Sequence, residues 1–198
     1  MQQPVYFCSH SEAKYSTEKW RCIFSQWYPQ NFVGKESIHD LTKIIDTNDF
    51  EKYIKNNTFS TREKWMMICK CLMFAKGVHK AKNIELLETK LIIENNPATI
   101  KKLGRKIQGF DEQIWQQYRE QVVENGNYLQ FSQNEQMRKI LLDTQNREIV
   151  EASNYDAIWG IGFSENDAEA NRSEWGLNLL GKALMKVRNR LAVETPVV

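Results

Sequence analysis

Apolar positions recur at helical spacing over much of the chain beyond residue 60, and the shorter apolar runs before it fit strands. Val5-Tyr6-Phe7-Cys8 and Arg21-Cys22-Ile23-Phe24 read as short strands, and Ser25-Gln26-Trp27-Tyr28-Pro29 as a loop that Pro29 keeps from becoming helical. Residues 34–59 are polar and mixed, and read as an exposed insertion with a short helix or hairpin of its own. Ser60-Thr61-Arg62-Glu63 has the form of a capping box and opens a helix predicted to reach about Lys76, with Gly77 ending it. Asn96-Pro97 opens a second helix that stops near Gly109. Asp111 caps a third, carrying Ile114, Trp115, Tyr118 and Val122. A further capping box, Ser132-Gln133-Asn134-Glu135, starts a helix through Leu142. Ile149-Val150 reads as a short strand, and 158–163 as a glycine-punctuated loop or strand. The last helix covers about Leu177 to Leu191, with Leu180, Leu184, Val187 and Leu191 facing inward. The expected fold is mainly α with a few short β-strands, in a single compact domain over 1–198.

Composition narrows the function classes. At 198 residues the chain can bury a core with a pocket without disulfides or a structural metal. Apolar residues make up 41% and aromatic residues 11%, which is not a disordered composition. A net charge of +2 carries no field that demands nucleic acid. The four cysteines, at 8, 22, 69 and 71, form no CxxC, and His10, His39 and His79 lie far from any cysteine pair, so neither a metal site nor a cofactor is expected. No signal peptide and no apolar run near the ~20 residues of a membrane span is visible, which points to a reducing, cytoplasmic setting with free thiols.

The chemistry concentrates in Trp65-Met66-Met67-Ile68-Cys69-Lys70-Cys71-Leu72-Met73-Phe74-Ala75. Ten of these eleven residues are apolar on every face of the helix, so the helix is buried, and Lys70 is the one charge inside it. Glu63 precedes Lys70 by two turns and shares nearly one face with it. A desolvated lysine loses proton affinity and becomes a nucleophile. The plain alternatives are that Glu63 only caps the helix and that Lys70 snorkels to water. Tyr155-Asp156-Ala157-Ile158-Trp159-Gly160-Ile161-Gly162 sets an acid and an indole three residues apart in a loop, which serves either a ligand or a tight turn. Asn178 at a helix start fits a cap, and the basic run 101–106, with Arg105, fits either a phosphate or a solvated face.

Taken in order, these pieces resemble the NADAR (YbiA-like) family. They are Phe24-Ser25-Gln26-Trp27-Tyr28-Pro29, Glu63-Lys64-Trp65-Met66-Met67 with Lys70 and Phe74, Leu103-Gly104-Arg105, and Phe110-Asp111 with Trp115 and Arg119. Phe131-Ser132-Gln133-Asn134, Leu141-Leu142-Asp143-Thr144, Val150-Glu151-Ala152, Asp156 through Gly162, and Asn178-Leu179-Leu180-Gly181 with Leu184-Met185 and Val187-Arg188 follow. The chain departs from the family pattern at Lys64, usually Gln or His, at Cys71, usually Ala, and in the length of 34–59.

The resemblance implies an N-glycosidase that needs no metal and breaks the bond between ribose C1 and a base through an oxocarbenium-like transition state. The implied substrates are ribosylaminopyrimidine phosphates of riboflavin biosynthesis or, alternatively, ADP-ribosylated guanine, with nucleic acid entering only as a modified substrate. It implies Glu63, Lys70 and Asp156 as catalytic residues and Trp27, Arg105, Trp159 and Asn178 as substrate-binding residues. A non-catalytic ADP-ribose or nucleotide-binding module would keep Trp159 and Arg105 without needing both Glu63 and Lys70. A helical interaction protein would instead show a broad exposed apolar patch.

Overall fold

Residues 3–8, 19–35 and 41–194 are described by the structure, which is a computed structural model. In chain order the strands are β1 (Val5–Phe7), β2 (Phe32–Val33), β3 (Thr58–Phe59) and β4 (Ile149–Glu151). The α-helices are α1 (Thr47–Tyr53), α2 (Arg62–Met73), α3 (Lys80–Leu86), α4 (Pro97–Gly104), α5 (Glu112–Gln133), α6 (Glu135–Asp143), α7 (Glu165–Ala168) and α8 (Leu179–Val193). The fold is therefore mainly helical with short strands, as its apolar periodicity predicts. The chain gathers into two compact units: Pro29–Gln133, and the described residues up to Tyr28 together with those from Asn134 onward.

In the unit Pro29–Gln133, α2 is the central element and packs against α3, α4 and α5. Its apolar run leaves no polar face, and every residue of α2 except Lys70 is buried. Trp65 is fully buried, and its indole N–H donates to the Val122 carbonyl of α5 at 2.9 Å. The close approach of the two helices requires Gly126, since a Cβ there would stand 2.6 Å from Trp65 Cδ1. Arg62 is also fully buried; it donates to the Asn127 side chain and lies over the Phe131 ring. β2 and β3 pair antiparallel, Phe32 opposite Phe59, and both rings stack near Trp65.

Several sequence expectations are corrected in this unit. The segment 34–59, whose residues 36–40 lie outside the described part, is not a polar surface excursion. Asp46 caps α1, and Leu41, Ile45, Phe50, Ile54 and Phe59 are all buried. Its apolar residues are sparse but buried, so composition conceals them. The cap of α2 is Thr61 rather than Ser60: Thr61 Oγ1 accepts from Lys64 N at 3.1 Å. The helix ends at Met73, three residues before Lys76. α5 runs unbroken to Gln133, so Ser132 sits inside a helix, its hydroxyl bonded to the Leu129 carbonyl, and opens no capping box. The sequence expectations also lack α3 and the π-helical turn Leu87–Leu91 that follows it.

In the other unit, β1 and β4 pair in parallel, Tyr6 opposite Val150, and α8 packs on β4 and α6. Tyr6, Val150, Ala152, Ile161 and Ala168 form its small core, flanked by Phe163 and Trp175. Residues Lys19–Phe24 form a 3₁₀ helix, not the expected strand. The predicted last helix is α8, with Leu180, Leu184, Val187 and Leu191 buried.

Candidate functional site

Lys70 is the point at which the buried helix α2 meets solvent. Its Nζ stands 3.9 Å from the centroid of the Phe110 ring and 5.1 Å from that of Trp115. Phe110 also makes an edge-on contact with Phe74, at 5.2 Å between centroids, and stays 40% exposed. Burial lowers the proton affinity of the Lys70 amine below the ordinary lysine value, while the carboxylates of Glu112 and Glu63 oppose that shift. The outcome is an amine held between aromatic faces, with less than the usual cost of losing its proton.

Glu63 lies in the first turn of α2 and is 3% exposed. Because Thr61 is the cap, Lys64 and not Glu63 occupies the third helical position, where a capping-box glutamate would sit. The capping-box explanation for Glu63 therefore loses its geometry, and its carboxylate acts on the charge of Lys70. The neighbouring Lys64 turns away and braces the chain that follows the π-helical turn. Its Nζ donates to the Ile92 carbonyl at 2.6 Å and to Asn95 Oδ1 at 3.1 Å.

α5 supplies the rest of this wall. Asp111 caps it through bonds from Gln113 N and Ile114 N, which fixes Phe110 just before the helix. Glu112, Trp115 and Arg119 follow at spacings that place them on one face. Arg119 reaches back two turns to within 3.7 Å of Glu112. Phe110, Glu112, Trp115 and Arg119 are the site residues that sequence reasoning missed. The run Phe110-Asp111…Trp115…Arg119 is visible in the sequence, but nothing in a single sequence couples it to a lysine some forty residues earlier. Arg105 is exposed at the C-terminal end of α4.

The remaining expected site residues belong to the other unit. Asp156 Oδ1 accepts from Ile158 N at 2.9 Å and from Trp159 N at 2.7 Å, which bends the loop into a tight turn with Trp159 half-buried. Oδ2 takes no part in those bonds. The loop lies close to the end of β4: Ile161 N donates to the Glu151 carbonyl at 3.0 Å, and a Cβ on Gly160 would stand 2.6 Å from that oxygen. Asn178 has left-handed backbone angles, φ 49° and ψ 42°. Its side chain bridges β4, accepting from Glu151 N at 3.1 Å and donating to the Ile149 carbonyl at 3.0 Å. The amide of Asn178 is thus committed to the strand, and the residue shapes the loop's support. Leu177, Leu179 and Leu180 donate backbone bonds to Ala157, Ile158 and Trp159, which ties the same loop to the start of α8. Trp27 is half-buried in a turn closed by Ser25 Oγ. The structure therefore groups Glu63 with Lys70, and Asp156 with Trp159 and Asn178.

Among the described residues, no three His, Cys, Asp or Glu side chains are clustered to hold a metal ion, and no helix is long and apolar enough to cross a membrane.

A mainly helical domain holding a half-buried lysine between two aromatic rings is the class of protein that the fold and the site define. The NADAR domain family matches residues 6–192, and the chain belongs to that family. It is 38% identical over 168 residues to "N-glycosidase R617" of Acanthamoeba polyphaga mimivirus, covering 84% of this chain and 85% of that protein. It is 36% identical over 174 residues to "Protein irg-1" of Caenorhabditis elegans, covering 86% and 76%. "N-glycosidase YbiA" of Escherichia coli strain K12 is 30% identical over 100 residues, half of this chain and 57% of that one. The NMR structure of the E. coli protein YbiA superposes with a TM-score of 0.60 at 20% identity, over 98% of this chain and 88% of that one, and so shares the fold.

Proposed function

We propose that this chain is an N-glycosidase that releases a base from C1 of a ribosyl phosphate, with Lys70 as nucleophile and Glu63 as proton carrier. The observation that carries this is the Lys70 amine, poised 3.9 Å from the Phe110 ring with its proton affinity lowered by burial. The names of the mimivirus and E. coli relatives support the reaction class. In the first step the C1–base bond breaks as the C1–Nζ bond forms, the base leaving with a proton from Glu63. Nζ loses one proton to the resulting carboxylate. The ribosylamine then opens: the C1–O4′ bond breaks, O4′ takes a proton and C1 becomes a protonated imine of Lys70. That cation lies where Phe110 and Trp115 present their faces, which favours it. Water adds at C1 and the sugar leaves as an aldehyde, restoring the amine.

The family resemblance, not a distance to Lys70, suggests Asp156 for steadying positive charge or the sugar hydroxyls and Trp27 and Trp159 for stacking on the base. Arg105 is the candidate for phosphate that the family resemblance suggests, and Asn178 acts as a positioning residue through β4. The chain is read as one NADAR domain, and the substrate as a ribosylaminopyrimidine phosphate.

The test offers a ribosylaminopyrimidine phosphate and, in a separate reaction, ADP-ribosylated guanine DNA, and measures released sugar. Borohydride reduction during turnover adds one sugar phosphate to the peptide containing Lys70. Lys70→Met abolishes both adduct and turnover while the fold persists, methionine filling similar volume. Turnover by Lys70→Met at the wild-type rate refutes the mechanism, and release of sugar only from the DNA reassigns the substrate.

A further inference from the structure

Arg119 is a deeply placed cation whose close partner of opposite charge, among the described residues, is a poor one. Its side chain is 11% exposed, its Nε is buried without a hydrogen-bond partner, and Nη1 stands 3.7 Å from a carboxylate oxygen of Glu112, which is itself 53% exposed. An ion pair at that distance with a half-exposed carboxylate contributes little and is easily exchanged. A guanidinium, however, offers a planar fork of donors that matches a phosphate, and burying it without such a partner is costly. Arg119 and Glu112 lie seven residues apart on α5 with Trp115 between them, so their head groups converge along the stretch of helix from which Trp115 faces Lys70. Glu112 also acts on the charge of Lys70. One carboxylate thus lies within 3.7 Å of Arg119 and also acts on the charge of Lys70. Four residues, about 6 Å of helix rise, separate the Trp115 level from the Arg119 level, which suits the reach from C1 of a pentose to a phosphate on its far end.

We propose that Arg119 is the phosphate-binding residue for a ribose 5-phosphate moiety whose C1 meets Lys70, and that Glu112 holds the place until the phosphate displaces it. This rests on the N-glycosidase reading for the position of C1, and it moves the phosphate from Arg105 to α5. The ligand class is a phosphate monoester on a five-carbon sugar.

Calorimetric titration of the full chain with ribose 5-phosphate and with unphosphorylated ribose tests it without requiring turnover. Arg119→Gln weakens ribose 5-phosphate by at least about tenfold, the weight of one charge-assisted hydrogen bond, and ribose by less than about twofold. Arg119→Lys, which keeps the charge and the packing stem but loses the fork, falls between. Glu112→Gln removes the competing carboxylate and tightens ribose 5-phosphate. Equal losses for both sugars, no loss in Arg119→Gln, a larger loss in Arg105→Gln, or no binding by the wild type at millimolar sugar phosphate overturns the proposal. Binding through Arg119 with no base released from any N-riboside would keep this subsite and refute the N-glycosidase reading. Turnover with binding indifferent to Arg119 would do the reverse.

Discussion

Lys70 Nζ lies 3.9 Å from the centre of the Phe110 ring, and Phe110 is the more exposed of the two aromatic walls around it. The ring nearest the amine is therefore also the one open to solvent. Its face favours a cation at Nζ, whether ammonium or protonated imine. Phe110→Leu keeps the apolar contact with Phe74 but removes that face. The expected result is a fall in kcat of about tenfold, from the ~0.5–2 kcal/mol such contacts contribute, with KM little changed. Steady-state kinetics check it; a change in KM alone would make Phe110 a binding surface and nothing more.

The pH profile follows from the direction of the Lys70 shift. In the proposed mechanism the neutral amine attacks, so kcat is expected to rise with pH as Lys70 deprotonates, below the ordinary lysine range because burial lowers its pKa. Glu112 opposes that lowering. Glu112→Gln removes a negative neighbour, so the rise moves to still lower pH. A rise displaced to higher pH in this variant would contradict the neutral-amine role.

Asn178→Ala strands the Ile149 carbonyl and the Glu151 N–H, and also forces an alanine into a left-handed conformation. A loss of roughly 2–4 kcal/mol in urea unfolding is expected from two buried orphans. Asn178→Gly keeps the backbone geometry without the amide and recovers only the smaller, conformational part. If glycine restores full stability, the bridge to β4 contributes nothing.

Residues 41–59 contribute side chains to the core, and Phe50 measures by how much. Phe50 is 3% exposed on α1, so Phe50→Ala costs about 3–5 kcal/mol as a cavity in a core. A loss under about 1 kcal/mol, read by chemical denaturation, would return the segment to the surface.

Gly126→Ala tests the seam between α2 and α5. The new methyl would stand 2.6 Å from Trp65, whose indole is bonded to Val122 and boxed by Phe32 and Phe59. Overpacking of about 1–3 kcal/mol is expected, seen as a lower unfolding midpoint with unchanged slope. No change would mean that the helices part easily.

Local signals carry much of this fold. Asn96-Pro97 and Asp111 place two helix starts because a cap acts within a few residues. The all-apolar run of α2 announces burial, and Lys70 stands out in it as the exception that the structure also shows. A single sequence misleads where the deciding partner is remote. The stripe of Leu41, Ile45, Phe50 and Ile54 is diluted by lysine, asparagine and aspartate, so its periodicity is weak although its burial is complete. The capping-box patterns at Ser60 and Ser132 match short motifs that tertiary packing overrides. The aromatic wall of Lys70 is illegible in the sequence because pairing Phe110 and Trp115 with it depends on how α2 meets α5. Asn178 has the residue type of a cap or a ligand-binding amide, while its actual partners lie on a strand twenty-seven and twenty-nine residues earlier.

Cys69 and Cys71 flank Lys70 in sequence and share its helix, yet both are fully enclosed, and Cys71 lies 3.3 Å from the Asn83 carbonyl. Burial raises both thiols, Cys71 to about 12. Neither sulfur can meet a reagent while α2 is seated, because both access and ionisation are denied. Their rate of alkylation is then a clock for the opening of α2. Followed across denaturant, it distinguishes a local excursion from whole-chain unfolding, as hydrogen exchange does for amides. The helix that carries Lys70 thus contains its own reporters of how often that amine is out of place.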